Sequence, residues 1–134
     1  MYKRVVLSSF FILTALILFA CSSPPDGISK QAYELGKKHV KEIEDCSTNQ
    51  DCDDDDLSDK LVFELDALDS GDAEYKDSEV MAATFTSLTS LMMLKIEESY
   101  AEGESNKDLT EAKVEYRIEI DNLRKTLGEK PKYD

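Results

Sequence analysis

The chain has 134 residues, of which 34% are charged, and its formal net charge at pH 7 is −13. A protein this acidic repels nucleic acid phosphates and anionic lipid headgroups, so we expect no nucleic acid partner, whereas a basic protein or divalent cations would be attracted. The length is sufficient for one compact domain but not for two.

The first features along the chain are those of an export signal. Lys3 and Arg4 precede an apolar run at residues 5–20, which ends immediately before Cys21. A short basic segment followed by an apolar run is typical of secretory signals. The run is shorter than the roughly 18 apolar residues of a transmembrane helix and contains serine and threonine, so we favour a cleaved signal over a membrane span.

The end of this signal carries a family resemblance. Leu18-Phe19-Ala20-Cys21 resembles the lipobox of bacterial lipoproteins, which has leucine three residues before the cysteine and a small residue just before it. Phe19 is bulkier than the residue usually found at its position. The resemblance implies that the chain is cut before Cys21, which then carries the acyl groups. By similarity to Gram-negative lipoproteins, Ser22 implies an anchor in the outer membrane, and we expect the domain on the periplasmic side.

These features divide the chain into three parts. Residues 1–20 are the expected signal peptide, residues 21–27 the lipidated cysteine and its tether, and residues 28–134 the folded domain. Pro24 and Pro25 stiffen the tether and hold the domain away from the bilayer. The signal contains two of the basic residues, so the mature chain is more acidic than the whole.

The domain itself shows helical patterning and almost no strand signals. Apolar residues recur every three or four positions in the segments 29–45, 57–68, 74–102 and 108–127. The third segment is apolar around more than half of its circumference, which predicts that it is packed on several sides. Because the connections are short, neighbouring helices should be antiparallel. The predicted fold is therefore all-α, a small antiparallel bundle of about four helices around the third segment.

Several residues predict where these helices begin and end. Asp56 is the predicted N-cap of the second helix, and Asp108 with Glu111 three residues later resembles a capping box for the fourth. Gly103 and Gly128 are predicted to end the third and fourth helices, because glycine adopts the left-handed conformation that closes a helix.

Two further cysteines lie six residues apart between the first and second segments. Cys46 and Cys52 are an even pair in an exported chain, for which a disulfide is the natural expectation. Free or metal-bound thiols are the alternative, and a metal site would need further ligands when the only histidine is His39. No nucleophile stands at a catalytic spacing from His39, so we expect it to be a surface or partly packed side chain.

An aspartate-rich stretch, Asp51–Asp59, follows the first segment. Asp51, Asp53 and Asp55 occupy alternate positions, as the oxygen ligands of calcium loops do. No frame of the stretch supplies both the glycine and the glutamate of an EF-hand loop. The alternatives are a solvated acidic loop that also caps the next helix and a weak cation site formed by these three carboxylates.

Methionine and tyrosine side chains are candidates for contact with a partner. Methionine adapts its shape to irregular surfaces, and tyrosine is enriched in protein interfaces. Met81, Met92 and Met93 either line such a groove or belong to the core, and Tyr116 falls on a buried stripe. The candidate anchors are Tyr75, Tyr100, Tyr116 and Tyr133.

No catalytic or cofactor motif and no glycine-rich phosphate loop is present, so we expect neither an enzyme nor a bound cofactor. A lipid address, a helical domain and high acidity favour a binding module for another envelope protein. Pilotins of secretion systems and some periplasmic immunity proteins have a similar architecture, but the chain carries no motif of either. The alternative is a cation-responsive envelope protein that uses the loop Asp51–Asp59.

Overall fold

Four α-helices make up the part of the protein that the computed structural model describes, which is residues 23–68, 76–101 and 107–133. The predicted all-α bundle is confirmed, and no strand occurs within these ranges. None of the described helices combines the length and the apolarity needed to span a membrane. The helices are α1 (Lys30–Thr48), α2 (Asp54–Asp66), α3 (Asp77–Tyr100) and α4 (Lys107–Thr126).

Some predictions concern residues outside the described ranges. The export signal, Cys21 and Ser22 precede the first range, while Tyr75 and Gly103 fall in the two gaps between ranges. The predictions made for these positions therefore stay predictions. They are the export signal, the lipid on Cys21, Tyr75 as a partner contact and Gly103 as the end of the third helix.

α1 and α2 form a hairpin whose two helices begin at side-chain caps. The Ser29 hydroxyl accepts a hydrogen bond from the N–H of Ala32, and the Asp53 carboxylate accepts from the N–H groups of Asp55 and Asp56. The prediction of Asp56 as the N-cap of α2 is therefore wrong, because α2 begins earlier and Asp56 lies in its first turn. Starting at Asp53 places the following aspartates where the positive end of the helix dipole favours negative charge.

α3 lies at the centre of the bundle and contacts all three other helices, as the sequence predicts. Small polar residues are among the buried side chains of α3. Ser87 is fully buried, and its hydroxyl lies 2.9 Å from the backbone oxygen of Glu119. Gly36 permits a similar approach from α1, since a Cβ at this position would lie only 2.7 Å from Cδ2 of Leu127.

Polar contacts at both ends of the bundle show how the helices run. The Asp77 carboxylate at the start of α3 accepts hydrogen bonds from the backbone N–H and the hydroxyl of Ser29, at 2.8 and 2.6 Å. At the opposite end, Nζ of Lys95 donates to the backbone oxygen of Asn49 at 2.8 Å. α1 and α3 are therefore parallel to each other, and the helix that follows each of them runs back in the opposite direction.

The ends of α4 bear out one prediction and correct another. Gly128 has a φ of +70°, and its N–H and that of Glu129 donate back to carbonyls in the last turn of α4. This is a Schellman C-cap, so the predicted stop at Gly128 is confirmed. The capping box is wrong, because α4 begins at Lys107 and Asp108 lies within the first turn, where the helix dipole favours it.

Candidate functional site

A disulfide joins Cys46, near the end of α1, to Cys52, just before α2. The two Cα atoms are 5.3 Å apart, within the usual range for a disulfide. Cys46 is buried in the core. The predicted disulfide is confirmed, and the bond holds the turn of the α1–α2 hairpin.

The aspartate-rich stretch is largely exposed, and part of it serves to cap α2. One carboxylate oxygen of Asp53 accepts hydrogen bonds from the first turn of the helix, at 3.1 Å from each of two backbone nitrogens. Within the described ranges, the carboxylates of Asp51, Asp53 and Asp55 do not all come within 4.8 Å of one another. The structure therefore gives these three candidates a capping and solvated role and does not bring them together around a cation.

His39 is fully buried, so the prediction of a surface or partly packed side chain is wrong. It is the middle of a series of buried α1 residues spaced by four, three, four and three positions. That spacing is the signal that identifies His39 as an interior residue, although lysines lie close to it in sequence at positions 37, 38 and 41. The series is Ala32, Gly36, His39, Ile43 and Cys46.

The buried His39 ring belongs to a polar cluster between α1 and α2. Nε2 of His39 lies 2.8 Å from Oε2 of Glu64, and Oε1 of Glu64 accepts a hydrogen bond from Nζ of Lys38 at 2.6 Å. Glu42, one turn after His39, accepts a hydrogen bond from Nζ of Lys60 at 2.7 Å. The sequence does not reveal this cluster, because its members come from two helices whose pairing only the fold determines.

The cluster holds a neutral imidazole beside the ionised carboxylate of Glu64. Burial lowers the pKa of His39, and the neighbouring carboxylate of Glu64 only partly opposes this. The hydrogen bond from Lys38 lowers the pKa of Glu64. At neutral pH the ring therefore donates one N–H to Glu64 and keeps a free lone pair on its other nitrogen.

The outer face of α3 exposes large apolar side chains to solvent. These side chains point away from Leu88 and Leu91, which are buried in the core. No charged residue lies between Val80 and Leu94. The broad apolar surface of this helix predicted packing on several sides, but no described residue covers this side. We call it the outer face of α3, and its large exposed members are Phe85, Met93, Ile96 and Tyr100.

The three candidate methionines divide between the core and this face. Met81 packs against the buried core, Met92 is half-buried, and Met93 is 49% exposed. The two interpretations of the sequence therefore each hold for part of the set, because Met93 points to a different side of the helix from Met81 and Met92.

The candidate tyrosines also have different environments. Tyr100 is 77% exposed at the end of the outer face of α3, whereas Tyr116 is buried, as its stripe position predicts. Tyr133 is 38% exposed, with the cationic groups of Arg117 and Lys132 over its ring at 5.6 and 5.3 Å. Tyr100 is thus the described tyrosine best placed to contact a partner.

Tyr116 gives the fold an alkaline limit. Burial raises the pKa of its hydroxyl to about 12, and the nearby Ser47 hydroxyl, which donates to the carbonyl of Glu44, offsets this only in part. The unfolded state loses this proton near pH 10. The contribution of the protonated Tyr116 to the free energy of unfolding is therefore complete below pH 10 and is lost as the pH rises towards 12.

We therefore expect Tyr116→Phe to raise the pH at which the helices unfold in alkali. The measurement is circular dichroism against pH, with tyrosinate absorbance followed in parallel. Tyr100→Phe is the matched control, because it removes an exposed phenol and should leave the transition where it is. An alkaline midpoint that Tyr116→Phe does not move would contradict the assignment.

Other exposed apolar side chains lie on separate surfaces. Phe63 is 78% exposed on α2, and Val114 and Ile118 are about half exposed on α4. Small exposed apolar patches of this kind are common on folded proteins. Phe63 is useful as a control because it matches Phe85 in chemistry and lies on a different helix.

The chain matches no protein-family model, no curated protein and no solved structure. No relative therefore assigns a role to any residue described above. The residues themselves provide two features with chemical potential: a buried histidine–carboxylate cluster and an uncharged apolar face on an acidic molecule. The first is suited to holding a cation, and the second to contacting another protein.

Proposed function

We propose that this protein is a lipid-anchored helical binding module of the bacterial envelope, which recognises a basic partner protein through the outer face of α3. The observation that carries the proposal is an uncharged face with exposed Phe85, Met93 and Ile96 on a chain of net charge −13. Exposed apolar surface surrounded by polar residues marks interaction sites. The net negative charge of the chain selects a basic partner and repels a second copy of the same chain.

The location rests on the lipobox-type residues Leu18 to Cys21 and on Ser22, which favour a lipid anchor in the outer membrane with the domain in the periplasm. The Cys46–Cys52 disulfide supports an exported chain, since disulfides persist mainly in oxidising compartments. A binding role rather than catalysis is supported by His39, whose full burial keeps the only histidine from a substrate.

The anchor is tested by replacing the lipid-bearing residue. Cys21→Ser should move the protein from the membrane fraction to the soluble fraction, and mass spectrometry should find acyl groups on Cys21 only in the wild type. Ser22→Asp is the sorting control, because by the same resemblance it should retain the lipid and redirect the protein to the inner membrane. Recovery of a chain that still begins at Met1, or of an unmodified Cys21, would overturn this part of the proposal.

The partner surface is tested with the full chain, purified in detergent and used to capture proteins from envelope extract. Phe85→Ser and Met93→Ser should each weaken binding of the captured protein by about thirtyfold, since a central interface residue contributes about 2 kcal/mol. Phe63→Ser is the matched control and should bind as the wild type does. Capture should also weaken as salt is raised, because the attraction to a basic partner is screened.

Three results would contradict the proposed surface. The first is a captured protein whose binding falls equally with Phe63→Ser, which would indicate a general loss of structure. The second is binding that does not respond to salt, which would exclude charge complementarity. The third is self-association of the purified chain that Phe85→Ser abolishes, because it would identify a second copy as the occupant of this face.

A further inference from the structure

We propose that His39, Glu42 and Glu64 form a binding site for a divalent metal ion of the zinc class, which fastens α2 to α1. One ligand atom from each residue lies within 4.8 Å of those from the other two. His39 and Glu42 are three residues apart and therefore share one face of α1. Glu64 completes the set from the facing helix.

Two buried atoms of this cluster lack a partner. Nδ1 of His39 and Oε2 of Glu42 are inaccessible to solvent and have no hydrogen-bond partner among the described residues. Leaving a buried acceptor unsatisfied is costly, so such atoms are normally paired. A cation bound between Nε2 of the fully buried His39 and the two carboxylates would satisfy the Glu42 oxygen, and the proton that Nε2 gives up would move to Nδ1.

The donor set selects the kind of metal. Zinc is commonly bound by histidine nitrogen together with carboxylate oxygen, and a site with three protein ligands keeps a fourth position for water. Calcium and magnesium take oxygen ligands almost exclusively, so the imidazole of His39 disfavours them. The negative charge of the whole protein raises the local concentration of any cation.

Two lysines occupy the carboxylates when no metal is bound. Lys38 and Lys60 lie 2.6 and 2.7 Å from Glu64 and Glu42, and both lysine side chains are about half exposed. Each can move into water and leave its carboxylate free. Because a divalent ion replaces two ammonium charges, the exchange leaves the charge of the cluster balanced. The lysines are therefore competitors of the metal, and removing them should strengthen its binding.

The test is calorimetric titration of Zn²⁺ into the full chain, stripped with a chelator and carrying a tag without histidine, in detergent without reductant. We expect one ion per chain.

Glu64→Gln, which keeps the side-chain volume, should weaken binding by about tenfold or more. The double variant Lys38→Gln/Lys60→Gln should tighten it. Glu34→Gln, an exposed change on the same helix, should bind as the wild type does. Zn²⁺ should raise the Tm of the wild type and leave that of Glu64→Gln unchanged.

Several outcomes would overturn the site. Absence of binding at millimolar Zn²⁺ would leave a cluster that water alone satisfies. Equal affinity of wild type and Glu64→Gln would place the ion elsewhere. Loss of binding in Asp51→Asn/Asp55→Asn would move it to the acidic loop, and equal binding of Ca²⁺ would remove the role of the imidazole.

Discussion

Ser87→Leu is expected to lower the free energy of unfolding by about 2–4 kcal/mol, a large part of the total stability of a domain this size. Ser87 is fully buried where α3 meets α4, and its hydroxyl lies 2.8 Å from the carbonyl of Ala83 and 2.9 Å from that of Glu119. Leucine would remove this hydrogen bond and push the two backbones apart. α4 would suffer most, because its main contact is with α3.

The measurement is denaturant unfolding followed by circular dichroism. Ser87→Ala is the first control, since it removes the hydroxyl without adding volume and should cost about 1 kcal/mol. Thr89→Leu is the second, because it places leucine on the exposed side of the same helix and should change stability by less than about 0.5 kcal/mol. Equal stability of Ser87→Leu and Thr89→Leu would show that the helices do not approach closely at Ser87.

Reduction of the Cys46–Cys52 disulfide is expected to cost about 2.4 kcal/mol, the value that the chain-entropy model gives for a loop this short. The loss should be felt first in α2, which buries only Leu61 and Leu65 within its length. Without the covalent link, the unfolded chain gains freedom at the hairpin turn while the folded hairpin keeps its contacts. α2 should therefore separate from α1 before the other helices unfold.

Denaturant unfolding with and without reductant measures this effect, and hydrogen exchange locates it. The double variant Cys46→Ala/Cys52→Ala is the matched control and should be indifferent to reductant. Amides of α2 should lose protection on reduction while those of α3 keep theirs. The interpretation would be wrong if reductant destabilised the double variant as much as the wild type, or if α3 and α2 lost protection together.

Much of the fold is determined locally and could be predicted from the sequence. Helical periodicity depends on residues three and four apart, so four segments are apparent without knowledge of their neighbours. Gly128 ends α4 because its own backbone adopts a positive φ. Cys46 and Cys52 are six residues apart, so their disulfide closes one short loop and involves no distant part of the chain. These features depend on interactions within a few residues.

The cap of α2 shows where local prediction becomes uncertain. Both Asp53 and Asp56 have a side chain that can serve as an N-cap, so local sequence does not determine at which of them the helix begins. The structure selects Asp53, directly after the disulfide-bonded Cys52. Where several acceptable caps follow one another, the packing of the helix as a whole decides among them.

The sequence by itself determined an acidic four-helix domain with a central third helix, because periodicity and stop residues act along the chain. Only the tertiary structure decided which side of α3 is covered. It also decided that Ser87 is interior and that His39 contacts Glu64. Those outcomes depend on residues far apart in sequence approaching within a few ångströms. An apolar side chain on a broadly apolar helix is buried only where another helix lies against it, and the polar side chains of Ser87 and His39 are interior where a neighbouring helix supplies a hydrogen-bond partner.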